Sequence, residues 1–220
     1  MKELNLGYQF QNKALLQEAI THSSYANERH CAYNERLEFL GDSVLSIIIS
    51  RYLFEQLPGE KEGVLSKLRS ALVCEGALAR LADRIGLGEA LLLGRGEELG
   101  GGRKRPSILS DAFEAVLAAM YLDSDLKTVE TWLLSLMKPE LDAALRGDLY
   151  QDYKTRLQEA VQQNGGVVSY RTVSETGPDH HKDFMVEVLV NDVIVGKGNG
   201  FTRKEAEQNA AKQALEHEAL

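Results

Sequence analysis

The 220-residue chain has only two cysteines, Cys31 and Cys74, four prolines and one tryptophan. Two thiols cannot build a disulfide-stapled secreted scaffold. His30 adjoins Cys31, but no second close pair of Cys or His accompanies it in the first part of the chain, so a structural zinc site lacks its ligand set. No apolar run approaches the roughly 20 residues needed to cross a bilayer, and the opening MKELNLGYQF does not lead into the apolar stretch of a secretory leader. A cytoplasmic protein is expected. Basic residues are in deficit, 25 Lys and Arg against 33 Asp and Glu, for a net charge of −8. That balance excludes a globally basic nucleic-acid coat and leaves room for a local patch.

What is present is enough for a core. Hydrophobic residues make up 44% and charged residues 26% of the chain, a balance that fits a folded protein of one medium domain and one small one. Helical periodicity runs through residues 10–22, through NERLEFLGDSVLSIIISRYLFEQLPGE, twice within EGVLSKLRSALVCEGALARLADRIGL, through PSILSDAFEAVLAAMYLDS and through residues 129–143. After Asp148 the period changes from 3.6 to 2. A short helix, TRLQEAVQQNG, precedes three candidate strands, VVSYRTVSE, DFMVEVLVN and DVIVGKGNG, with Asn191-Asp192 as the last turn. TRKEAEQNAAKQALEHEA closes the chain as a helix whose Ala206, Ala210 and Ala214 can seat it closely on a sheet. The fold class is therefore an all-α domain over 1–147 followed by a small α+β domain, α-β-β-β-α, over 148–220. Charge does not mark the boundary, since residues 1–150 sum to −5 and residues 151–220 to −3. Within the first domain, LGRGEELGGGRKRP reads as a flexible insertion because its triple glycine disfavours regular structure.

Four acids stand out in the helical part. Glu38 and Asp42 are four positions apart, and Asp111 and Glu114 three apart, so each pair shares one helix face. Such spacings also occur on ordinary solvated faces. The mainly apolar setting of all four, and Gly41 where a helix former would be favoured, point instead to acids that packing must accommodate. Two pairs converging from two helices would offer hard oxygen ligands to Mg²⁺ or Mn²⁺, and with them a metal-assisted hydrolase. Gly41 would allow close approach to Asp42 or to the ions, or serve simply as a packing glycine. Ser43 and Ser110 have no His/Asp relay for nucleophilic catalysis. His22 reads as a packed or capping residue, and Glu35 as a surface ion-pair partner.

The segment NERLEFLGD at 34–42 resembles the signature of the bacterial ribonuclease III family of double-stranded-RNA endonucleases. THSSYA at 21–26, LSKLRSALV at 65–73 and LSDAFEAVLAAMYLD at 109–123 match further family segments in the same order. The resemblance implies an all-helical, Mg²⁺-binding endonuclease domain that forms a homodimer, with Glu38, Asp42, Asp111 and Glu114 as the catalytic and metal-binding acids. Asp42 and Glu114 rank first for direct coordination. Nothing at these four positions departs from the family motif.

Residues 151–219 resemble the double-stranded RNA-binding domain that ends this family, through DYKTRLQEAVQ, GPDHHKDFMVEV and GKGNGFTRKEAEQNAAKQAL. The resemblance implies recognition of A-form duplex by shape. It places Thr155, Gln158 and Glu159 on the first helix and Pro178, Asp179 and His180 in a loop, both facing minor grooves. Thr202, Arg203 and Lys204 fall at the start of the last helix, where positive charge and unpaired N–H groups favour phosphate. Lys182 and Lys197 are expected as extra phosphate partners, and Arg103, Lys104 and Arg105 as a steering group ahead of Asp111. Leu157, Val161, Phe184, Val186, Val188, Val193 and Val195 are assigned to the small core.

Taken with the resemblance, these residues lead to the expectation of hydrolysis of duplex RNA by Mg²⁺-activated water. The products would carry 5′-phosphate and 3′-hydroxyl ends with short 3′ overhangs. Precursor ribosomal RNA and structured messenger RNA are the expected substrates, with transfer RNA as a further class. The rival is an RNA-binding regulator whose helical domain only dimerises, and the intact acid quartet argues against it.

Overall fold

The computed structural model describes Leu4 and residues 6–147, 153–177 and 182–216. The chain divides into two compact units, residues 1–150 and 151–220.

Unit one is built on two helices, α3 (Glu35–Gln56) and α8 (Pro106–Asp123). Leu37, Gly41, Val44, Leu45, Ile48, Ile49 and Leu53 form the buried stripe of α3, at the three- and four-residue steps that keep one face toward a core. On α8, every residue from Ala115 to Met120 is fully buried, as befits a helix surrounded by others. Packed around them are α1 (Lys13–Ala19), α4 (Glu62–Leu72), α5 (Glu75–Arg84) and α9 (Leu126–Leu136), with α10 (Lys138–Leu145) against α4 and α9 and α2 (Ser23–Arg29) beside the short helix at Arg95–Leu99. Local chemistry sets their ends. Asn12 caps α1 by accepting from the N–H of Ala14, Asp125 caps α9 by accepting from that of Thr128, and Pro106 occupies the first turn of α8. The helix expected over 129–143 is two helices that meet at Met137, with Pro139 in the first turn of α10.

Small residues govern the α3–α8 crossing. A Cβ placed on Gly41 would lie 1.9 Å from the backbone oxygen of Glu114, so the two backbones touch where any side chain would separate them. Gly41 is thus a packing glycine whose near neighbour is α8 itself. Farther along, Asp123 at the end of α8 accepts from the Tyr8 hydroxyl and from the N–H groups of Gln11 and Asn12, each at 2.8 Å, which pins the N-terminal segment to that helix.

The glycine-rich stretch 93–106 departs from the flexible insertion expected of it. It contains α7 (Arg95–Leu99) and a 3₁₀ turn (Gly102–Lys104), after the short α6 (Leu87–Ala90). The reason is Arg103, whose guanidinium donates to both carboxylate oxygens of Glu98 at 2.7 and 2.6 Å and to the carbonyls of Gly88, Glu89 and Leu91. Arg105 pairs with Glu97. One planar five-donor group can order a segment whose glycines alone would leave it loose.

Unit two runs α11 (Tyr153–Gln163), β1 (Val168–Thr176), β2 (Asp183–Val190), β3 (Val193–Gly200) and α12 (Arg203–Glu216). The strands form an antiparallel sheet in the order β1-β2-β3. Asn191 and Asp192 both take positive φ, 50° and 68°, as a two-residue hairpin turn requires. Alternate glycines 196, 198 and 200 face α12, and a Cβ on each would fall 2.2–2.6 Å from its backbone. Opposite them, Ala206, Ala210 and Ala214 are fully buried, so helix and sheet meet through their smallest residues. Leu157, Val161, Val186 and Val188 complete the core, with Phe184 and Val195 packed at its edge. Val193, assigned to that core from the sequence, is 64% exposed at the start of β3, directly after the hairpin turn.

Two glycine substitutions test the crossing. Gly41→Ala forces backbone apart from backbone and is expected to destabilise unit one by about 3 kcal/mol, the upper end for overpacking. Gly59→Ala, with open space around it, should stay within about 0.5 kcal/mol of the parent. Urea unfolding followed through Trp132 would check both.

Candidate active site and nucleic-acid interface

The α3–α8 contact brings the four acids to one place. Gly41 lies between Glu38 and Asp42 in the chain and rests on Glu114, one turn beyond Asp111. Glu38, Asp111 and Glu114 are half-buried. Asp42 is exposed, which corrects the expectation that all four lie in apolar surroundings.

Their electrostatics show one shared field. Burial pushes the Glu114 carboxyl up to about 7, and the charges of Asp42, Glu38 and Asp111 push in the same direction. Glu38 is raised first by burial, then by Asp111 and Glu35. Asp111 is raised by burial and by Glu75, against the hydroxyl of Ser110 and the imidazole of His22, which lower it. Glu75, the first residue of α5, carries no signal in the sequence, because it belongs to no spaced pair of acids. His22 does cap α2, its Nδ1 accepting from the N–H of Ser24 at 3.2 Å, and in addition it faces the acid cluster electrostatically.

Among the described residues no group of three or more His, Cys, Asp or Glu side chains is placed so as to chelate an ion together. The donor set nevertheless suits a hard divalent cation. Four carboxylates supply only oxygen, and at Glu114 every contribution opposes the charged form, a penalty that a cation among them would reverse. Mg²⁺ fits these residues chemically, and Mn²⁺ fits the same donors.

The basic residues of both units are mostly tied within the chain. Arg103 is committed to Glu98 and to three carbonyls and so acts as a staple for this segment. Arg105 is paired with Glu97, and Lys104 is exposed. In unit two, Thr155, Gln158 and Glu159 lie exposed on α11. Thr202 caps α12, accepting from the N–H of Glu205 at 3.1 Å, while the Glu205 carboxylate accepts from the N–H of Phe201 at 2.9 Å. Arg203 and Lys204 follow on the first turn, both exposed. Lys182 pairs with Glu175 at 2.7 Å and Lys197 with Glu187 at 2.9 Å. Pro178, Asp179 and His180 lie outside the described residues.

A pH experiment follows from Glu114. Its folded-state value of about 7 lies above its ordinary 4.5, so the native state binds this proton more tightly than the unfolded chain does. The resulting stabilisation is full below about pH 4.5 and is lost as pH rises through about 7. In metal-free buffer, thermal unfolding should show Glu114→Gln gaining on the parent between about pH 5 and pH 8 and exceeding it at pH 8. Parallel curves would mean that neither burial nor the neighbouring acids raise Glu114 in the folded protein.

A family model described as ribonuclease-III-like matches residues 12–141, and one for the double-stranded RNA binding motif matches residues 153–218. Ribonuclease 3 of Caldanaerobacter subterraneus subsp. tengcongensis is 52% identical over 216 residues, which cover 97% of this chain and 95% of that protein. Ribonuclease 3 of Clostridium perfringens is 45% identical over 225 residues, 98% of this chain and 95% of the relative. Among solved structures, the nuclease domain of ribonuclease III from Campylobacter jejuni aligns with a TM-score of 0.59 at 43% identity, covering 61% of this chain and 92% of that one. Matched by both family models in order, and by these relatives over nearly its whole length, the chain belongs to the ribonuclease III family.

Proposed function

We propose that this protein is a cytoplasmic, Mg²⁺-dependent endonuclease that hydrolyses phosphodiester bonds of double-stranded RNA. The observation that carries the reading is the α3–α8 crossing, which gathers Glu38, Asp42, Asp111 and Glu114 into one electrostatic site within a chain of this family. The catalytic and dimerising domain is assigned to residues 1–147 and the duplex-binding domain to 148–220. Precursor ribosomal RNA and structured messenger RNA are the substrates, with transfer RNA as a further class. The products carry 5′-phosphate and 3′-hydroxyl ends with short 3′ overhangs.

In this reading Glu38, Asp42, Asp111 and Glu114 would hold the cation, with Asp42 and Glu114 ranked first for direct coordination. When bound, Mg²⁺ supplies an activated water and neutralises charge developing at the phosphate. The chain's own part is to fix the acids. Backbone contact at Gly41 sets where Glu114 stands relative to Glu38 and Asp42, and Ser110, its hydroxyl donating to the Ser107 carbonyl at 2.9 Å, lies 3.4 Å from Asp111 Oδ1. Glu114, raised to about 7, would release its proton as a cation shares its oxygens, so loading would grow more favourable with pH through the neutral range.

Binding of the duplex falls to unit two, with Arg103, Lys104 and Arg105 as a steering group ahead of Asp111. Thr155, Gln158 and Glu159, with Pro178, Asp179 and His180, are assigned to minor grooves. Thr202, Arg203 and Lys204, helped by Lys182 and Lys197, are assigned to phosphates.

A homodimer is part of the proposal. Phe39, Ile47 and Phe54 are 80%, 53% and 70% exposed on α3, and their steps of eight and seven residues keep them on one stripe. Large apolar side chains aligned in this way mark an interaction surface. The Campylobacter nuclease domain is described as having a region involved in dimer formation. A second copy would set two acid sites on opposite RNA strands and so give staggered cuts.

Single-turnover cleavage of a uniform RNA duplex with and without Mg²⁺, against DNA and single-stranded RNA, tests the proposal. Glu114→Gln should lower the rate by orders of magnitude at unchanged duplex affinity, since its carboxylate serves the cation and not the duplex. A wild type that binds duplex tightly and cuts none would make the protein a regulator instead. Residues 1–147 alone should remain dimeric by light scattering at micromolar concentration. They should also lose duplex affinity, with cleavage partly restored at low salt. A monomer, or full affinity at moderate salt, would contradict that division of roles.

A further inference from the structure

All the described groups of unit two assigned above to RNA on helices lie on α11 or on the first turn of α12, and one carboxylate joins these two elements. Glu207, on the second turn of α12, accepts from Lys154 Nζ at 2.5 Å and from Arg203 Nε at 3.2 Å. Its side chain is 14% exposed, against 32% for Lys154 and 64% for Arg203. The next residue, Gln208, accepts from the backbone N–H of Lys154 at 3.2 Å, so adjacent α12 side chains hold both the main chain and the ammonium group at the start of α11. The ammonium also lies 4.6 Å from the centre of the Tyr170 ring on β1. Lys154 is thereby fixed from two sides.

Stability does not account for this arrangement. Leu157 and Val161 on α11 already pack against Ala206, Ala210, Ala211 and Ala214 on α12. The Arg203–Glu207 pair, exposed at Arg203, adds little to folding. Affinity for phosphate does not account for it either, because a carboxylate beside Arg203 repels the polyanion that Arg203 is assigned to grip. What Glu207 supplies is geometry: a set direction for Arg203 and a set distance from it to the exposed face of α11.

We propose that Glu207 is a positioning residue that holds the groove-reading helix α11 and the phosphate-gripping turn of α12 at the spacing of an A-form duplex. The inference rests on the RNA contacts assigned in the preceding section. A-form and B-form helices differ in groove width and depth. Two binding patches free to shift could follow either form, whereas two patches locked at one spacing favour the form that matches it. Glu207 therefore gives up some general attraction to phosphate and gains preference for RNA.

The test uses the full-length chain in buffer free of divalent cations, with RNA and DNA duplexes of one sequence. Glu207→Gln keeps the size and an acceptor oxygen but removes the charge that holds Lys154 and Arg203. It should lower the RNA-to-DNA affinity ratio about tenfold, the scale of one coupled pair, while DNA affinity stays level or rises. Lys154→Gln should lower the ratio similarly, and the double variant should lose no more than either single one, because both changes break the same link. Thermal unfolding separates this result from a damaged fold. A Glu207→Gln protein with the wild-type ratio would overturn the proposal, as would equal loss of both affinities together with lowered stability, or fully additive losses in the double variant. Absence of any duplex-RNA preference in the wild type would remove the RNA-contact assignment itself, and this inference with it.

Discussion

The backbone contact between Gly41 and the carbonyl of Glu114 is the constraint from which the catalytic half is organised. Two helices whose main chains touch have almost no freedom to slide, because a shift of one residue would bring a Cβ into the space that only glycine leaves open. The crossing therefore fixes the acids as well as the core. Fully buried Ala112, Ala115, Ala118 and Ala119 extend the small-residue surface of α8 around this point. Leu45, Ile49 and Leu53 then continue the packing along α3 without reopening the gap at the acids. Stability from the apolar ends thus offsets the electrostatic penalty stored where Glu114 is held near pKa 7.

The same device recurs in the second unit with the roles reversed. There the glycines belong to the sheet and the alanines to the helix, and Gly196, Gly198 and Gly200 let α12 settle onto β3. The N–H of Lys197 donates to Gln213 at 2.6 Å and the Asn209 amide to the Asn199 carbonyl at 2.7 Å, so polar groups beside the close approach are paired within the chain. With α12 seated this closely, the direction of its first turn is set by the sheet. Thr202 and Glu205 then satisfy N–H groups at that end, while Arg203 and Lys204 remain exposed.

Helical and strand periods, the acid spacings and the Ala206-Ala210-Ala214 stripe are legible in the amino-acid sequence because each is a local pattern whose period matches its geometry. The hairpin at Asn191-Asp192 is legible for the same reason, since those residue types tolerate positive φ. Contacts between distant residues are not. Composition makes the triple-glycine segment look loose, and only Arg103, reaching back to Gly88 and Leu91, explains its order. Glu75 leaves no mark in the sequence because its link to Asp111 joins α5 to α8 through space. The exposure of Asp42 likewise depends on which face of α3 is packed, with Gly41 and Val44 buried on either side of it in the chain, a fact that helical spacing does not contain.

How a chain of net charge −8 can meet a polyanion is answered by the way its cations are held. Free lysines scattered over an acidic surface would be weakly directional and easily screened. Here Arg103 and Arg105 are consumed in ordering a loop, and Lys182, Lys197 and Arg203 are each beside a carboxylate. Glu187 shows how far this goes. It is buried on β2 between Arg171 and Lys197, and hydrogen bonds from first Arg171 and then Lys197 hold its carboxyl below the usual range. A side chain so tethered offers phosphate less net charge but a fixed donor direction, and fixed direction is what shape recognition of a regular duplex requires. With the RNA contacts as proposed, the acidic excess has a consequence of its own: it would weaken attraction to any nucleic acid that cannot engage the tethered donors together, exchanging general stickiness for dependence on form.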